Sequence, residues 1–365
     1  MPRAKNLELR EFILRNIPNH STNIAPVAAV RFKISRASVG NYLKALIKEG
    51  LVEATGKTNG RRYELARLDF FEDVIAITPG LQEDLVLREK ILPFLKPLPS
   101  NIVAICEYGF GEMMNNVIDH SEAKHCVIRF QRNYAEISLE LWDNGVGIFD
   151  KITRECHLAN PHEAILELSK GKLTTDASKH TGEGIFFTSR MFDRFGILSG
   201  ELYYTRRRRE DDEWLVESET RDDRTEGTLV RMRISTDATQ TTKEAFDKYL
   251  DDDYRFARTH VPLILAKYEG ENLVSRSQAR RLLTRVERFS EVMLDFRGIS
   301  EIGQAFADEI FRVWAREHPS VRVLSMNMSP EVERMTKHAL VNAADQKALE
   351  EQPSLPLGEP PKASG

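Results

Sequence analysis

The stretch WDNGVGI places a carboxylate beside a glycine turn. Asp143 ends an alternating, strand-like pattern, and Gly145 and Gly147 after it let another group come close to the backbone. Such a carboxylate can accept a hydrogen bond from an exocyclic amine. Further on, TGEGIFFTSRMF puts Gly182 and Gly184 at the start of an apolar-periodic helix, whose first backbone amides suit phosphate oxygens. The two stretches therefore indicate chemistry directed at an amine and at phosphates.

A third polar stretch, EMMNNVIDHS, carries a Glu, an Asn and a His at four-residue spacing. On an α-helix, Glu112, Asn116 and His120 then lie on one side, stacked turn over turn. A polar stripe beside an apolar face is also the ordinary solvent side of an amphipathic helix. The stripe therefore gains meaning only together with the glycine loops.

The elements that must hold these residues follow from the spacing of the apolar side chains. Residues 101–121 predict a long helix, and residues 124–148 predict two alternating strands joined near 132–134, the second of which runs into DNGVGI. The stretch TEGTLVRMRI predicts a strand that opens with Gly-Thr.

Taken in order, E-x-x-x-N-x-x-x-H, DNGVGI, TGEGI and EGT resemble the N box and the three glycine boxes of the gyrase, Hsp90, histidine kinase and MutL superfamily. The resemblance covers residues 75–236 and implies a two-layer α/β sandwich of the Bergerat type that binds ATP with Mg²⁺. Asn116 would ligate the Mg²⁺ with its amide oxygen, and Asp143 would accept a hydrogen bond from the adenine amine. The adenine pocket would also be lined by Gly145 and Gly147, with Thr228 supporting that contact.

The same resemblance implies a lid over the phosphates, formed by Thr181, Gly182, Glu183 and Gly184. The preceding stretch LSKGKLTTDASKH is rich in small, polar and basic residues, as a mobile lid requires. Its lysines are candidate phosphate contacts or ordinary solvated loop residues: Lys170, Lys172 and Lys179.

Glu112 lies one turn before the implied Mg²⁺ ligand, where hydrolysing members of the superfamily carry the Glu that activates water. In the anti-sigma branch of protein serine/threonine kinases, the same position activates a protein hydroxyl. An ATPase and a kinase both stay open, as does an adaptor that binds nucleotide without chemistry. A sensor histidine kinase is disfavoured because no upstream phosphoacceptor His followed by an acidic residue and Pro is visible.

Residues 1–68 hold 13 Lys and Arg but 5 Asp and Glu, whereas the whole chain of 365 residues has a formal net charge of −4. This basic excess favours an anionic partner, most often nucleic acid. Apolar spacing predicts three helices, and LVEATGKTNGRRYEL predicts a hairpin around Thr-Asn-Gly. The arrangement resembles a winged helix-turn-helix domain.

That resemblance implies DNA contacts from the third helix and from the hairpin, or wing: Ser35, Arg36, Ser38, Asn41, Tyr42, Lys44, Lys57, Arg61 and Arg62. A winged helix that docks protein and never touches DNA stays open as the alternative. The arginine run in YYTRRRREDDEWLVE, residues 203–217, favours a solvated hairpin tip over a nucleic-acid patch, because acidic residues follow at once.

Residues 274–343 contain VMLDFRGI and FADEIF, which resemble a STAS-like domain of unknown function. The resemblance implies a small α/β unit that binds a protein partner or a second copy of the chain. The turn EIGQAFAD lacks the hydroxyl that anti-sigma antagonists of this fold phosphorylate, and Ser300 lies a few residues too early. The Pro-rich, polar stretch QKALEEQPSLPLGEPPKASG predicts a disordered tail.

We therefore predict a multidomain α/β (α+β) protein, divided into a winged helix (1–68), a connector (69–100), an ATP-binding domain (101–236), a second connector (237–273), a STAS-like domain (274–345) and a tail (346–365). With no apolar run near 18 residues, no apolar signal core and three cysteines, the sequence favours a cytoplasmic protein that spans no membrane. The predicted function is a Mg·ATP-dependent switch that regulates DNA binding and transcription, with the STAS-like domain engaging a partner or a second subunit in a homodimer.

Overall fold

The computed structural model describes residues 2–57, 60–173, 182–208, 212–217, 225–267 and 271–350. The chain divides into two compact units, Met1–Lys248 and Tyr249–Gly365, each with its own sheet and helices. It is a mixed α/β, multidomain protein, as the sequence predicted. Among the helices of the described segments, none combines the length and the apolar character needed to cross a membrane.

The first 68 residues form a helical bundle followed by a hairpin. Its elements are α1 Pro2–Asn16, α2 Ile24–Phe32, α3 Arg36–Lys48, β1 Val52–Thr55 and β2 Arg62–Leu65. Ser35 caps α3, because its Oγ accepts a hydrogen bond from the backbone N–H of Ser38 at 3.1 Å. Helical spacing brings Val39, Leu43 and Leu46 to one face, where they are buried against α1 and α2. The predicted turn residues 58–59 lie outside the described residues.

Within the described residues of the first unit, seven strands form one antiparallel sheet in the order β3-β4-β5-β9-β6-β7-β8. They are β3 Asp69–Ala76, β4 His125–Arg132, β5 Glu136–Asp143, β6 Arg194–Gly200, β7 Leu202–Arg207, β8 Asp212–Glu217 and β9 Thr225–Ser235. β3 was predicted to be part of a connector, and it is instead the edge strand paired with β4. Its alternation was visible in the sequence, but its partner strand was not.

Helices cover one face of this sheet. They are α4 Glu83–Val86, α5 Leu92–Leu95, α6 Ser100–His120, α7 Ile148–Glu155, α8 Pro161–Lys170, α9 Gly184–Met191 and α10 Thr242–Asp247, with a π-helical turn Leu87–Ile91 between α4 and α5. α6 packs on β5 and β9 and buries Met113 and Val117. Because strand side chains alternate, Leu139 and Leu141 face the helices while Trp142 stays exposed on the other face. Each fully buried side chain of this kind contributes roughly 1.5–3 kcal/mol.

The N-terminal helix α1 is held against one end of the sheet. Arg15 Nη1 donates hydrogen bonds to Ala135 O at 3.3 Å and to Thr236 Oγ1 at 3.1 Å. Tyr134 Oη donates to the Glu11 carboxylate at 2.6 Å, and the Tyr134 ring packs on the helical core. Both contacts lie at the start of β5 and the end of β9, so residues 1–68 are seated on the sheet rather than tethered by a linker.

The second unit has a parallel sheet in the order β10-β11-β12. Its elements are β10 Arg258–Pro262, β11 Glu291–Asp295, β12 Arg322–Met326, α11 Arg276–Leu283, α12 Gln304–Asp308, α13 Ala315–Glu317 and α14 Pro330–Glu350, with a π-helical turn Glu309–Trp314 after α12.

Two segments predicted as a connector and a tail contain regular structure. Residues 237–273 are not a connector throughout, because β10 lies inside them and the unit begins at Tyr249. The sequence predicted a short strand in this stretch, and Pro262 is tolerated there because β10 is an edge strand. α14 continues to Glu350, into the predicted tail, whose residues 351–365 lie outside the described residues.

Candidate functional site

A cavity of about 320 Å³ lies in the first unit, between α6, the loop after β5, α7, the start of α9 and β9. Its lining includes these residues predicted from the sequence: Glu112, Asn116, His120, Asp143, Gly147, Gly182, Glu183, Gly184 and Thr228. Gly145 lies one residue behind the lining and donates its N–H to Asp143. Thr181 and Lys179 lie outside the described residues. The structure therefore brings together side chains from four separate stretches of the sequence.

Asp143 is the buried carboxylate of the cavity, with 4% of its surface exposed. Its Oδ1 accepts a hydrogen bond from Gly145 N at 2.8 Å. Burial raises the pKa of Asp143 to about 6, although the backbone amides of Gly145 and Thr228 oppose that rise. A carboxylate has about four acceptor positions, so Asp143 keeps the capacity to accept a hydrogen bond from a ligand amine.

Thr228 connects the start of β9 to the loop after β5. Its residue pairs with Asp143 across β5 and β9, and its Oγ1 accepts a hydrogen bond from Ile148 N at 3.0 Å. Gly227, just before it, has φ of +78°, and a Cβ there would overlap the carbonyl oxygen of Asp143. Sequence reasoning named Thr228 but not Gly227, although the Gly-Thr pair was the signal that could have identified both.

Glu112 lies between Tyr108, one turn earlier on α6, and the first residue of α9. The Tyr108 hydroxyl hydrogen-bonds to the Glu112 carboxylate, and burial together with the charges of Glu112 and Glu183 raises the pKa of Tyr108. A Cβ on Gly184 would overlap Glu112 Oε2, so only glycine fits there beside the carboxylate as it stands. The sequence indicated neither the part played by Tyr108 nor this contact between α6 and α9.

Asn116 lines the same cavity, and its side-chain amide has a donor that needs a hydrogen-bond acceptor. Its Nδ2 is buried and has no hydrogen-bond partner among the described residues. An amide donor left in that state costs roughly 1–3 kcal/mol, which a ligand acceptor would recover. The amide nitrogen suits a phosphate oxygen, and the amide oxygen suits Mg²⁺, so Asn116 fits the role that the resemblance implied.

The lysines behave differently from the prediction. Lys170 is 1% exposed and pairs with the buried Glu167 at 2.6 Å, so it is neither a solvated loop residue nor part of the cavity lining. Lys172 lies near Glu183, because its charge opposes the rise that burial produces in the pKa of Glu183. Lys151 was not predicted, yet it lines the cavity.

Lys151 connects the elements of the cavity wall formed by the end of α6 and by α7. Its Nζ donates to His120 O at 2.7 Å and to Glu122 Oε1 at 3.1 Å. It thereby joins the C-terminal end of α6 to α7, where a cation also complements the free carbonyls of the helix end. In the sequence, a lysine inside KITRE is indistinguishable from a surface lysine of an amphipathic helix.

The residues predicted to contact DNA lie on the outer side of α3 and on the hairpin. Six of them are exposed: Arg36, Asn41, Lys44, Lys57, Arg61 and Arg62. Ser38 is half-buried and takes part in the capping of α3, and Tyr42 is half-buried against the helical core. The structure therefore leaves a basic, solvent-facing surface on α3 and the hairpin.

The fold and the cavity define a multidomain α/β protein whose first unit has a ligand-sized cavity. In the second unit, residues 278–333 match the family described as STAS-like domain of unknown function (DUF4325), and this part of the chain is a STAS-like domain. The match runs from α11 to the start of α14. No curated protein matches the chain at a significant level.

Proposed function

We propose that the chain is a switch in which Mg·ATP bound in the cavity of the first unit regulates DNA binding by a winged helix formed by residues 1–68. The observation that carries the proposal is the convergence of Glu112, Asn116, Asp143, Thr228 and Gly184 on one cavity. They come from four separate sequence stretches, and each has a polar or backbone group suited to a different part of a nucleotide.

At the base end, the Asp143 carboxylate accepts a hydrogen bond from the adenine amine. The carboxylate is fixed by Gly145 N, and the loop carrying it is fixed by the bond from Ile148 N to Thr228. A preorganised acceptor loses little conformational freedom when the ligand binds, so its one hydrogen bond contributes to affinity. The same acceptor favours a base with an amine over a base with a carbonyl at that position.

At the phosphate end, Asn116 and the first backbone amides of α9 hold the charged oxygens. Asn116 would also hold Mg²⁺, which supplies charge neutralisation at the phosphates when it is bound. Glu112 accepts a proton from, and orients, the water that attacks the terminal phosphate. The Tyr108 hydroxyl and the backbone at Gly184 keep that carboxylate in place.

DNA binding is supported by the basic surface of residues 1–68. Arg36, Asn41 and Lys44 are exposed on α3, in the position of a recognition helix, and Arg61 and Arg62 are exposed on the hairpin. The STAS-like domain would report the nucleotide state to a partner protein or to a second copy of the chain.

The proposal is tested by calorimetry and phosphate release on three variants of the full chain. Glu112→Gln should bind Mg·ATP as the parent does and should lose at least 100-fold in hydrolysis rate. Asp143→Ala and Asn116→Ala should lose binding itself. Asp119→Asn is the control, since Asp119 is exposed on α6 and does not line the cavity. If Glu112→Gln hydrolyses ATP at the parental rate, Glu112 is not the catalytic residue.

An anti-sigma-type protein serine/threonine kinase is the second candidate, and the STAS-like domain on the same chain favours it. ATP labelled at the γ-phosphate separates the two. Free labelled phosphate supports the hydrolysing switch, and label transferred to protein supports the kinase.

A further inference from the structure

The face of the large sheet that points away from the helices carries a row of arginines. Arg233 on β9 stands directly opposite Arg194 on β6, and Arg194 stands directly opposite Arg207 on β7. Strand alternation turns all three outward, because the residues that follow or precede them are buried. We name Arg233, Arg194 and Arg207 the arginine row. Like charges directly opposite each other destabilise a sheet, so the row calls for a compensating anion.

The neighbouring row of the same face shows how the sheet normally neutralises such charges. There, Glu72, Arg129, Glu140 and Arg231 alternate in sign across four adjacent strands. Their ion pairs are 2.5 Å for Glu72–Arg129, 3.1 Å for Arg129–Glu140 and 2.6 Å for Glu140–Arg231. The arginine row lies one step along the strands, and although Asp212 on β8 is in register with Arg207, Arg194 has an arginine opposite it on both sides.

Arg194 and Arg233 have little charge compensation from the described part of the chain. Arg194 is exposed and makes no ion pair with any residue that the structure describes. Arg233 reaches Glu136 at 3.8 Å, and its Nε is buried without a hydrogen-bond partner in the described segments. The nearby Asp193 is engaged by Ser235 N at 2.8 Å and by Gln240 Nε2 at 3.2 Å.

The row continues across the sheet toward the winged helix. In register with Arg233 come Ser138 on β5, Gln131 on β4 and Phe70 on β3. The guanidinium of Arg67 lies over the Phe70 ring at 4.4 Å, and Arg67 follows the wing strand β2 directly. Arg, Gln and Ser are the side chains that proteins use to contact DNA phosphates.

Its length and place fit a duplex. The register line from Phe70 on β3 to Arg207 on β7, which ends in the arginine row, crosses five inter-strand steps of about 4.8 Å, or about 24 Å, which is roughly the rise of seven base pairs. The β3 end of this line adjoins the wing. Arg15 holds α1 beside the first residue of β5 and the last residue of β9, which is the side of the sheet on which Arg233 lies. A duplex that leaves the winged helix along this face would meet Arg67 first, then the neutral polar side chains of Gln131 and Ser138, and then the arginine row.

We propose that the arginine row binds the phosphate backbone of the DNA that flanks the site contacted by the winged helix. The proposal rests on DNA binding by residues 1–68, and it does not require ATP hydrolysis. The occupant is a duplex rather than an acidic polypeptide, because the row runs on from the wing.

The test is the salt dependence of binding of the full chain to a duplex of about 30 base pairs, measured by fluorescence anisotropy. The variant R194Q/R233Q should lower the slope of log K against log salt by about 2 and weaken binding roughly tenfold at physiological salt. R231Q is the matched control, because Arg231 lies on β9 two residues from Arg233 with similar exposure but is paired with Glu140. It should leave the slope unchanged.

The outcomes separate this proposal from the wider function. If R194Q/R233Q has the parental slope while R36Q/K44Q has lost affinity, the winged helix binds DNA and the arginine row does not. If the parent binds no duplex, both ideas fail. If the double variant loses binding to poly-L-glutamate but keeps its binding to the duplex, the row serves an acidic polypeptide and the proposal is overturned.

Discussion

Burial changes the pKa of Asp143, the carboxylate that would accept a hydrogen bond from the base. Burial raises its pKa to about 6, so the neutral acid is populated below that pH and can no longer accept a hydrogen bond at both oxygens. Binding of an amine requires the charged form. We therefore expect affinity for adenosine to be constant above about pH 7 and to be about tenfold weaker at pH 5 than at pH 8.

Adenosine is the suitable probe for this pH dependence, because it keeps the amine and lacks the titrating phosphates that would lie near Glu183. The measurement is calorimetry on the full chain across that pH range. Asp143→Asn should remove the dependence together with most of the affinity. Affinity that is flat from pH 5 to pH 8 in the parent would show that Asp143 does not accept the amine.

The contact between Glu112 and Gly184 gives a second test on the scale of single residues. In Gly184→Ala the added Cβ would overlap Glu112 Oε2 and displace the carboxylate. We expect hydrolysis to fall at least tenfold with adenosine affinity unchanged, since the base end is untouched. The measurement is phosphate release under saturating Mg·ATP.

Gly111→Ala is the matched control on the helix that carries Glu112. A Cβ at Gly111 meets no atom within 4 Å, so activity should persist and the free energy of unfolding should rise by roughly 0.5–1 kcal/mol. Equal losses of activity in both variants would place the effect in the stability of α6 rather than in the position of Glu112.

On the scale of elements, the spacing of apolar residues predicted the long helix and the strands, because neighbouring residues determine such elements. The helix expected over 101–121 is Ser100–His120, and the two strands expected within 124–148 are His125–Arg132 and Glu136–Asp143. Apolar spacing alone determines such elements when they are long.

Contacts between distant stretches could not be predicted in the same way. Nothing in the sequence near Gly184 announces that Glu112 lies against it, and nothing in RRRR reveals that Arg206 turns inward while Arg207 stands opposite Arg194. Strand pairing decides both the face and the neighbour of a side chain, and pairing is a property of the assembled sheet. The same reason explains why β3 and β10, although a strand was predicted in each stretch, were placed in connectors and not in their sheets.

Asp295 holds together the parallel strands of the second unit. Burial opposes its charge, but hydrogen bonds from His260 Nε2 at 3.0 Å, Asn327 Nδ2 at 2.8 Å and Arg297 N at 3.0 Å prevail and lower its pKa to about 2. Because the folded pKa lies below the unfolded value, this stabilisation is complete above about pH 4 and is lost as the pH falls toward 2.

We expect Asp295→Ala to lower the free energy of unfolding of this unit by about 3 kcal/mol at neutral pH. Hydrogen exchange of peptides from β11 and β12 in the full chain measures the change where it should occur. Asp253→Ala, at an exposed carboxylate in the same unit, should change it by less than about 0.5 kcal/mol. Unaltered exchange in Asp295→Ala would show that these hydrogen bonds add no net stability.

On the scale of the first unit as a whole, two strands connect the two ends at which function is proposed. β5 begins beside Tyr134 and ends at Asp143, and β9 has Thr228 near one end and Ser235 at the other. Over its eight residues β5 spans about 24 Å, so the nucleotide cavity and the seat of α1 lie at opposite ends of the same strands. A shift of β5 relative to β9 on nucleotide binding would therefore change the hydrogen bonds that hold α1 on the sheet.

The seat of α1 is the place to test that coupling. In the parent, a non-hydrolysable ATP analogue should change the dissociation constant for duplex DNA, and DNA should change the affinity for the analogue by the same factor. Arg15→Ala combined with Tyr134→Phe removes the bonds to Ala135, Thr236 and Glu11. We expect both ligands still to bind, with the coupling factor reduced to below about twofold.

Arg10→Ala is the matched control for the loss of an arginine from α1. Arg10 pairs with Glu49 at 2.5 Å, inside residues 1–68, and it makes none of the hydrogen bonds that join α1 to Ala135, Thr236 and Tyr134. Coupling should survive in that variant even where the stability of the helical bundle declines slightly. Full coupling in the Arg15 and Tyr134 double variant, measured beside this control, would mean that α1 does not transmit the nucleotide state and that the signal leaves the sheet elsewhere.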